Sequence, residues 1–185
     1  MAKKKTSRED ILKHSIKLFK INGYYNTSMA NIADACGLIK GSIYHHFKSK
    51  EEIGIESLKY IHNYFKEHIY KIAYQNDLTD KEKLALFVKK TDDYFLHSEG
   101  GCLLGNLALE VSSENILFKD EIRAYFKNWE KALFSILQSN YTDEKTAELS
   151  QEYVALTQGE IMMMNLYNSP ENYLKVGKKI IALIK

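Results

Sequence analysis

Apolar residues recur at helical spacing along almost the whole chain, beginning with residues 7–23. In this segment Ser7 stands where a helix N-cap is expected, and Asp10 follows three residues later, as in a capping box. The pattern ends at Asn22-Gly23, a typical helix stop. The face predicted to point inward consists of Ile11, Leu12, Ser15, Ile16 and Phe19.

Two short helices are predicted next. The first has Thr27 or Ser28 as its cap and ends at Gly37, and its inner face is Met29, Ile32, Ala33 and Cys36. The second is the segment KGSIYHHF, residues 40–47. Together they predict a helix-turn-helix over residues 29–47, with Gly37 at the position that requires positive φ.

The remainder of the chain is also helical in pattern. Ser49-Lys50-Glu51-Glu52 resembles a capping box and opens a long helix over about 50–74. Further helices are expected at about 79–98, 103–113, 116–140, 143–168 and 170–184, with a break at Gly100-Gly101 and Pro170 in the first turn of the last helix. No useful strand-like alternation occurs, so the fold class is all-α with about nine helices.

A helix-turn-helix places its second helix in the major groove of DNA. Lys40, Ser42, His45 and His46 would then face the nucleic acid, while Ile43 and Phe47, one turn apart, would pack on the core. Tyr44 and Lys50 could contact phosphates, and Thr27 and Ser28 could offer hydroxyl and backbone N–H groups to another phosphate. Sequence preference would depend on Lys40, Ser42 and His45.

Charge supports this interpretation. The chain has 185 residues and a formal net charge of +2. Residues 1–50 carry ten Lys and Arg against three Asp and Glu, and the remaining residues carry sixteen against twenty-one. A basic N-terminal part on a mildly acidic body is typical of a domain that binds a polyanion.

Several classes of protein are not indicated. No apolar run is long enough to span a membrane, no signal sequence follows the basic N-terminus, and two cysteines make no disulfide framework, so a cytoplasmic protein is expected. His45 and His46 are adjacent and would point about 100° apart on a helix, so no metal site is expected. No cofactor motif or nucleophile elbow is present, and the chain is not expected to be an enzyme.

The segment ILKHSIKLFKINGYYNTSMANIADACGLIKGSIYHHFKSKEEI resembles the DNA-binding domain of the TetR family of bacterial transcriptional regulators. The matching positions include Gly23-Tyr24, Thr27, Gly37, Lys40-Gly41, Tyr44, Phe47 and Lys50, and Gly41 joins the candidate DNA-binding residues through this resemblance. Ile39 departs from the family pattern, in which serine or a similar capping residue usually precedes the recognition helix. A weaker N-cap is therefore expected at this position.

The resemblance implies a DNA-binding domain at 1–49 and a ligand-binding and dimerisation domain at 50–185. It also implies a homodimer, paired through helices 143–168 and 170–184, that binds a palindromic double-stranded DNA operator and is released by a small-molecule inducer. The inducer would act by shifting the helix at 50–74. Two alternatives remain: a small helical enzyme using Cys102, and a DNA-binding adaptor regulated by a protein partner.

The inducer pocket is expected among aromatic residues of the middle helices, with Tyr64, Tyr94 and Trp129 as walls and Asn106 or Tyr94 as a polar anchor. The segment GGCLLGNLALEVS resembles a subgroup in which a cysteine at this kind of position senses electrophiles or aldehydes, which would make Cys102 a sensor. The alternative is that Cys102 is a small apolar residue packed at a helix start.

Overall fold

The computed structural model describes residues 6–111 and 115–184. Within them lie nine α-helices and one 3₁₀-helix, and no strand, so the predicted all-α class is confirmed. The helices are α1 (Arg8–Asn22), α2 (Met29–Ala35), α3 (Lys40–Tyr44), α4 (Lys50–His68), the 3₁₀-helix (Tyr70–Tyr74), α5 (Asp80–Leu96), α6 (Leu103–Glu110), α7 (Ile116–Leu137), α8 (Asp143–Tyr167) and α9 (Glu171–Ile181).

Helix α1 has the N-terminus and the buried face that its sequence predicts. The Ser7 side chain accepts a hydrogen bond from the Asp10 N–H, and the Asp10 carboxylate accepts one from the Ser7 N–H. The reciprocal bonds satisfy two N–H groups that a helix start otherwise leaves without partners. Its buried residues are Ile11, Leu12, Ser15, Ile16 and Phe19, as predicted.

Helix α4 differs from its prediction at both ends. Ser49 Oγ does accept from the Glu52 N–H at 3.1 Å, but the Glu52 carboxylate accepts from the Lys48 N–H at 2.7 Å, so the contacts are not those of the expected reciprocal box. The helix ends at His68 rather than near 74, because Ile69 leaves helical geometry and the chain tightens into a 3₁₀ turn that buries Tyr70.

Later boundaries lie close to those predicted, with two differences in detail. Pro170 is the N-cap of α9 and precedes its first turn instead of lying within it. The last residues of the predicted helix 103–113 fall outside the described part of the chain, and α6 ends at Glu110. No described helix is long and apolar enough to cross a membrane.

The turn between α2 and α3 depends on one glycine. Gly37 has φ +64°, and its N–H donates to the Asp34 carbonyl at 3.0 Å while the Leu38 N–H donates to the Ala33 carbonyl at 2.9 Å. These two bonds form a Schellman motif, which needs a left-handed residue at this point. Cys36, predicted on the inner face of α2, is the C-cap and only half-buried.

The first compact unit is larger than the predicted DNA-binding domain. It comprises the described residues of Met1–Ile61 together with those of Leu103–Ile122. Phe118 of α7 packs edge-on against Tyr24, with ring centroids 5.2 Å apart, and a Cβ on Gly54 would lie 2.6 Å from Phe118. The functional division at residue 49 therefore stays a prediction. The compact unit itself also includes α6 and the start of α7.

The second unit comprises the described residues of His62–Cys102 and Arg123–Lys185. Its core is aromatic, with Phe65 at ring-centroid distances of 5.1 Å from Tyr125 and 5.7 Å from Trp129. Trp129 also stacks on Phe95 at 6.1 Å. Rings of this size bury a large apolar area each, so the cluster is a main source of stability in this unit.

We expect Gly37→Ala to destabilise the protein by about 1–2 kcal/mol, because a Cβ disfavours the left-handed conformation although no atom within 4 Å would clash with it. Gly41→Ala is the matched control, since its Cβ also meets open space but its φ is not positive. Urea unfolding should lower the midpoint for Gly37→Ala alone. Equal midpoints for the two variants would contradict the role given to the turn.

Candidate functional site

Helix α3 presents a basic and polar face to solvent. Lys40, Gly41, Tyr44 and His45 are exposed, while Ser42 and His46 are half-buried. On the opposite side Ile43 and Phe47 are 0% and 1% exposed, as predicted, and hold the helix on the core. His45 is the C-cap and His46 follows the helix, so the predicted helix over residues 40–47 is shorter than expected.

The start of α3 is open. Ile39 is the N-cap, makes no side-chain capping bond and is 77% exposed, which confirms the weak cap that its sequence predicts. A Cβ on Gly41 would meet nothing within 4 Å. No intramolecular contact therefore requires glycine at this position. The space that a side chain would occupy is open to another molecule that approaches the helix backbone.

The Thr27 and Ser28 hydroxyl donors are already used inside the protein. Thr27 is fully buried, and its Oγ1 donates to the Gly23 carbonyl at 2.7 Å. Ser28 is the N-cap of α2, and both its hydroxyl and its N–H donate to Asn31 Oδ1, at 2.6 Å and 2.9 Å. These bonds fix the start of α2, which makes the two residues structural in this arrangement and leaves their phosphate contacts a prediction.

The Lys50 ammonium group also makes a hydrogen bond within the protein. Its Nζ donates to the Tyr24 carbonyl at 2.9 Å and lies 4.3 Å from the centroid of the Tyr24 ring. Burial lowers the pKa of the Lys50 ammonium. An ammonium group has three donors, so this lysine can hold the loop after α1 and still offer a proton to a phosphate.

Arg8 is a site residue that the sequence pattern did not reveal. Its Nη1 donates to the His46 carbonyl, its Nη2 lies 2.9 Å from Glu52 Oε1, and its guanidinium lies 3.9 Å from the centroid of the Phe47 ring. The hydrogen bond from Arg8, and next that from the Lys48 N–H, lowers the pKa of the Glu52 carboxyl. Arg8 thus ties the end of the recognition segment to the start of α4.

Glu110 is a second such residue. Its carboxylate accepts hydrogen bonds from the Tyr24 and Tyr25 N–H groups, both at 2.8 Å. The bonds join the C-terminal residue of α6 to the loop between α1 and α2. Contacts across 86 and 85 residues leave no trace in local periodicity, so sequence reasoning had no signal for this carboxylate.

Three of the predicted pocket residues lie together in the second unit. The Tyr64 and Tyr94 rings are 5.4 Å apart, and both contact Phe65, which also contacts Trp129. Tyr64 is 41% exposed, whereas Trp129 is 2% exposed. Trp129 lines an apolar cavity formed with residues of α5, α8 and α9.

Of the other two predicted pocket residues, Cys102 lies in the second unit near Tyr125, whose ring is 5.1 Å from that of Phe65, and Asn106 does not belong to this unit. Asn106 belongs to the first unit, where its Nδ2 donates to the Lys20 carbonyl at 3.5 Å. Cys102 is 4% exposed and lies near Tyr70 and Tyr125, whose phenol pKa values are raised by burial first and by Cys102 in part. A buried thiol favours the packing role for Cys102, and its sensor role stays a prediction.

The described residues show no cluster for a metal. Within 6–111 and 115–184, no group of three or more His, Cys, Asp and Glu side chains could hold a metal ion.

Two family models match the chain. Residues 11–56 match the bacterial regulatory proteins of the tetR family, and residues 81–179 match the C-terminal domain of LmrA/YxaF-like transcriptional regulators. The chain belongs to the TetR family. It is a transcriptional regulator with a helix-turn-helix for DNA binding, and the family consists of regulators, not enzymes.

Similar proteins cover the full length of the chain. The HTH-type transcriptional regulator YxaF of Bacillus subtilis is 29% identical, over 100% of this chain and 98% of YxaF. The HTH-type transcriptional regulator LmrA of the same organism is 28% identical, over 97% of each chain. The crystal structure of a TetR transcriptional regulator from Legionella pneumophila has a TM-score of 0.88 and 26% identity over 100% of both chains.

We expect Glu110→Ala to release the loop between α1 and α2, because two backbone N–H groups lose a charged acceptor. Hydrogen bonds to a charged group contribute about 1.5–3 kcal/mol, so amide exchange at Tyr24 and Tyr25 should accelerate at least about tenfold. Exchange measured by NMR provides the test, with Asp120→Ala, an exposed carboxylate on α7, as the matched control. Unchanged exchange in Glu110→Ala would show that the loop is held by other contacts.

Proposed function

We propose that this TetR-family protein is a dimeric, ligand-responsive repressor that binds a palindromic DNA operator in the bacterial cytoplasm. The observation that carries the proposal is the exposed face of α3, where Lys40, Gly41, Tyr44 and His45 are free of packing while Ile43 and Phe47 anchor the opposite side.

In the proposed complex Lys40 and His45 contact base edges, and Tyr44 and Lys50 contact phosphates. The absence of a side chain on Gly41 allows the DNA to approach the first turn of α3 closely. Thr27 and Ser28 contribute indirectly. Their hydroxyls donate within the protein and fix the start of α2, which lies against the DNA phosphates in the proposed complex. Ser42 and His46, being half-buried, contribute at the edge of the contact.

Dimerisation is proposed through α8, with α9 beside it. The end of α8 exposes four large apolar side chains on successive turns: Met162, Met163, Leu166 and Tyr167. A Cβ on Gly159, one turn earlier, would meet nothing within 4 Å, so a second helix could lie close at this position. The outward side of α9 instead carries lysines, so the apolar part of the proposed interface belongs to α8.

A dimer of this kind would place two recognition helices about 34–36 Å apart on successive major grooves. A small molecule bound in the second unit then releases DNA only insofar as it binds the off-operator form more tightly than the operator-bound form. The thiol-enzyme alternative receives no support from the burial of Cys102, a residue that is 4% exposed.

The experiment that tests DNA binding is fluorescence anisotropy on DNA upstream of the gene, over a salt series. We expect Lys50→Ala to weaken binding on any sequence and to reduce the slope of log K against log salt by about 0.9, the value for one phosphate contact. Lys59→Ala, an exposed lysine paired with Glu56 on the same helix, is the control.

Lys40→Ala should change the preferred sequence instead, and selection from a randomised DNA pool measures that change. Gly41→Ala should weaken operator binding while leaving the free protein as stable as wild type. If Lys40→Ala altered neither affinity nor preference, α3 would not be the recognition helix.

The dimer interface has a separate test. We expect Leu166→Glu to raise the dimer dissociation constant at least about tenfold, because a carboxylate would replace apolar area at the proposed contact. Leu109→Glu is the matched control, as Leu109 is 90% exposed on α6. Sedimentation equilibrium measures both, and an unchanged Leu166→Glu dimer would refute the proposed face.

A further inference from the structure

The second unit carries a groove that is lined by two lysines and two tyrosines. Its lining residues come from the last turn of α4, the 3₁₀-helix and α7, and they are Lys66, Tyr70, Lys71, Tyr74 and Asn128. The groove is open to solvent and has room of about 300 Å³. This volume lies at the lower end of the range for small-molecule sites, about 300–1,000 Å³. A ligand with one or two aromatic rings fits such a space.

The early end of α4 shapes this groove. After His68 the chain continues as a 3₁₀-helix, in which residues three apart lie on the same side. Lys71 and Tyr74 are three apart, both are exposed, and both line the groove. Tyr70 is only 4% exposed, so its ring belongs to the inner wall. The 3₁₀ turn therefore combines an exposed cation and an exposed ring with a buried ring behind them.

Hydrogen bonds hold the inner wall of the groove in place. The Tyr70 hydroxyl donates to the Tyr125 carbonyl at 3.2 Å, and Asn128 Nδ2 donates to His62 Nε2 at 2.9 Å. His62 is 2% exposed, and its ring lies edge-on to the rings of Tyr70 and Tyr125. A ligand would thus meet a wall that is already ordered, which lowers the entropy cost of binding.

The polar groups of the groove are mainly hydrogen-bond donors. Within the part of the chain that the structure describes, the ammonium groups of Lys66 and Lys71 make no ion pair and no hydrogen bond. Glu67, the neighbour of Lys66 in the sequence, is not among the lining residues. The Asn128 amide uses one N–H for His62 and has a second N–H to donate. Two ammonium groups and an amide donor favour an anionic ligand.

We propose that this groove binds an aromatic carboxylate, whose carboxylate group pairs with Lys66 and Lys71 and accepts a hydrogen bond from Asn128 while its ring packs against Tyr74. Because Lys66 belongs to α4, the helix that is expected to shift on induction, we assign this ligand the role of effector. The effector role rests on the proposed ligand-responsive function, whereas the binding itself does not.

The test compares three probes of nearly equal shape by calorimetry on the full chain without DNA: 1-naphthoate, 1-naphthalenemethanol and 1-naphthylmethylamine. An ion pair exposed to solvent contributes little by itself, so we expect the two lysines together to favour naphthoate over the alcohol at least about fivefold. The cationic amine should bind most weakly. High salt should reduce the preference for naphthoate, because salt screens exposed charges. Equal affinity for naphthoate and the alcohol would overturn the proposal.

Lysine variants assign the preference to this groove. Lys66→Gln and Lys71→Gln should each reduce naphthoate affinity about two- to threefold, and the double variant should bind naphthoate and the alcohol equally. The matched control is the double variant Lys89→Gln with Lys90→Gln, two exposed lysines of α5 that do not line the groove. It should keep the preference for naphthoate. Equal losses in the two double variants would assign binding to overall charge and overturn the site.

A tyrosine variant tests the position of the ring. Tyr74 is 60% exposed, so Tyr74→Ala should leave the Tm of the free protein unchanged. It should weaken naphthoate and the alcohol by the same factor, at least about threefold, because both lose the same ring contact. Unchanged binding of both probes would place the ring elsewhere and contradict the proposal. A lower Tm in the Lys66 and Lys71 double variant, with equal loss of all three probes, would indicate a structural role and also contradict it.

Operator anisotropy with and without naphthoate then tests the effector role. Release of DNA from the wild type, but not from the Lys66 and Lys71 double variant, would support it. Naphthoate binding without DNA release supports the anion site and refutes its effector role. DNA binding without naphthoate binding refutes the anion site alone and leaves the proposed DNA-binding function intact.

Discussion

The helix-turn-helix of this regulator depends on the burial of Ile43 and Phe47. Helix α3 has five residues, far fewer than an isolated helix needs to be stable in water. Its position is therefore fixed by these two anchors, by the Schellman turn at Gly37 and by Arg8, which binds the His46 carbonyl. The side chains on the exposed side of α3 do not pack on the core, so they are available to contact nucleic acid.

One ion pair and two hydrogen bonds to a carboxylate connect the helix-turn-helix to the helices around it. Arg8 lies between Phe47 and Glu52. Glu110 accepts a hydrogen bond from the Tyr24 N–H, and Lys50 donates to the carbonyl of the same residue. The compact unit is consequently larger than the helix-turn-helix and includes α6. A movement of α6 would therefore act on the loop before α2 through the Glu110 carboxylate, and not through apolar packing alone.

The second unit combines an aromatic core with a small cavity between α5, α7, α8 and α9. Phe65, Phe95 and Trp129 pack against one another, and Trp129 also lines the cavity together with Asp92 and Tyr173.

The sequence by itself determined the helix order, the capping of α1 and the inward faces, because these follow from periodicity and cap chemistry within a few residues. It also identified the family, and it predicts that the helix at residues 40–47 recognises DNA. Only the tertiary structure decided that the hydroxyls of Thr27 and Ser28 donate within the protein, that Asn106 and Trp129 belong to different compact units, and that Asp92 lines a cavity. Those facts depend on which distant side chains meet, and local pattern does not encode that pairing.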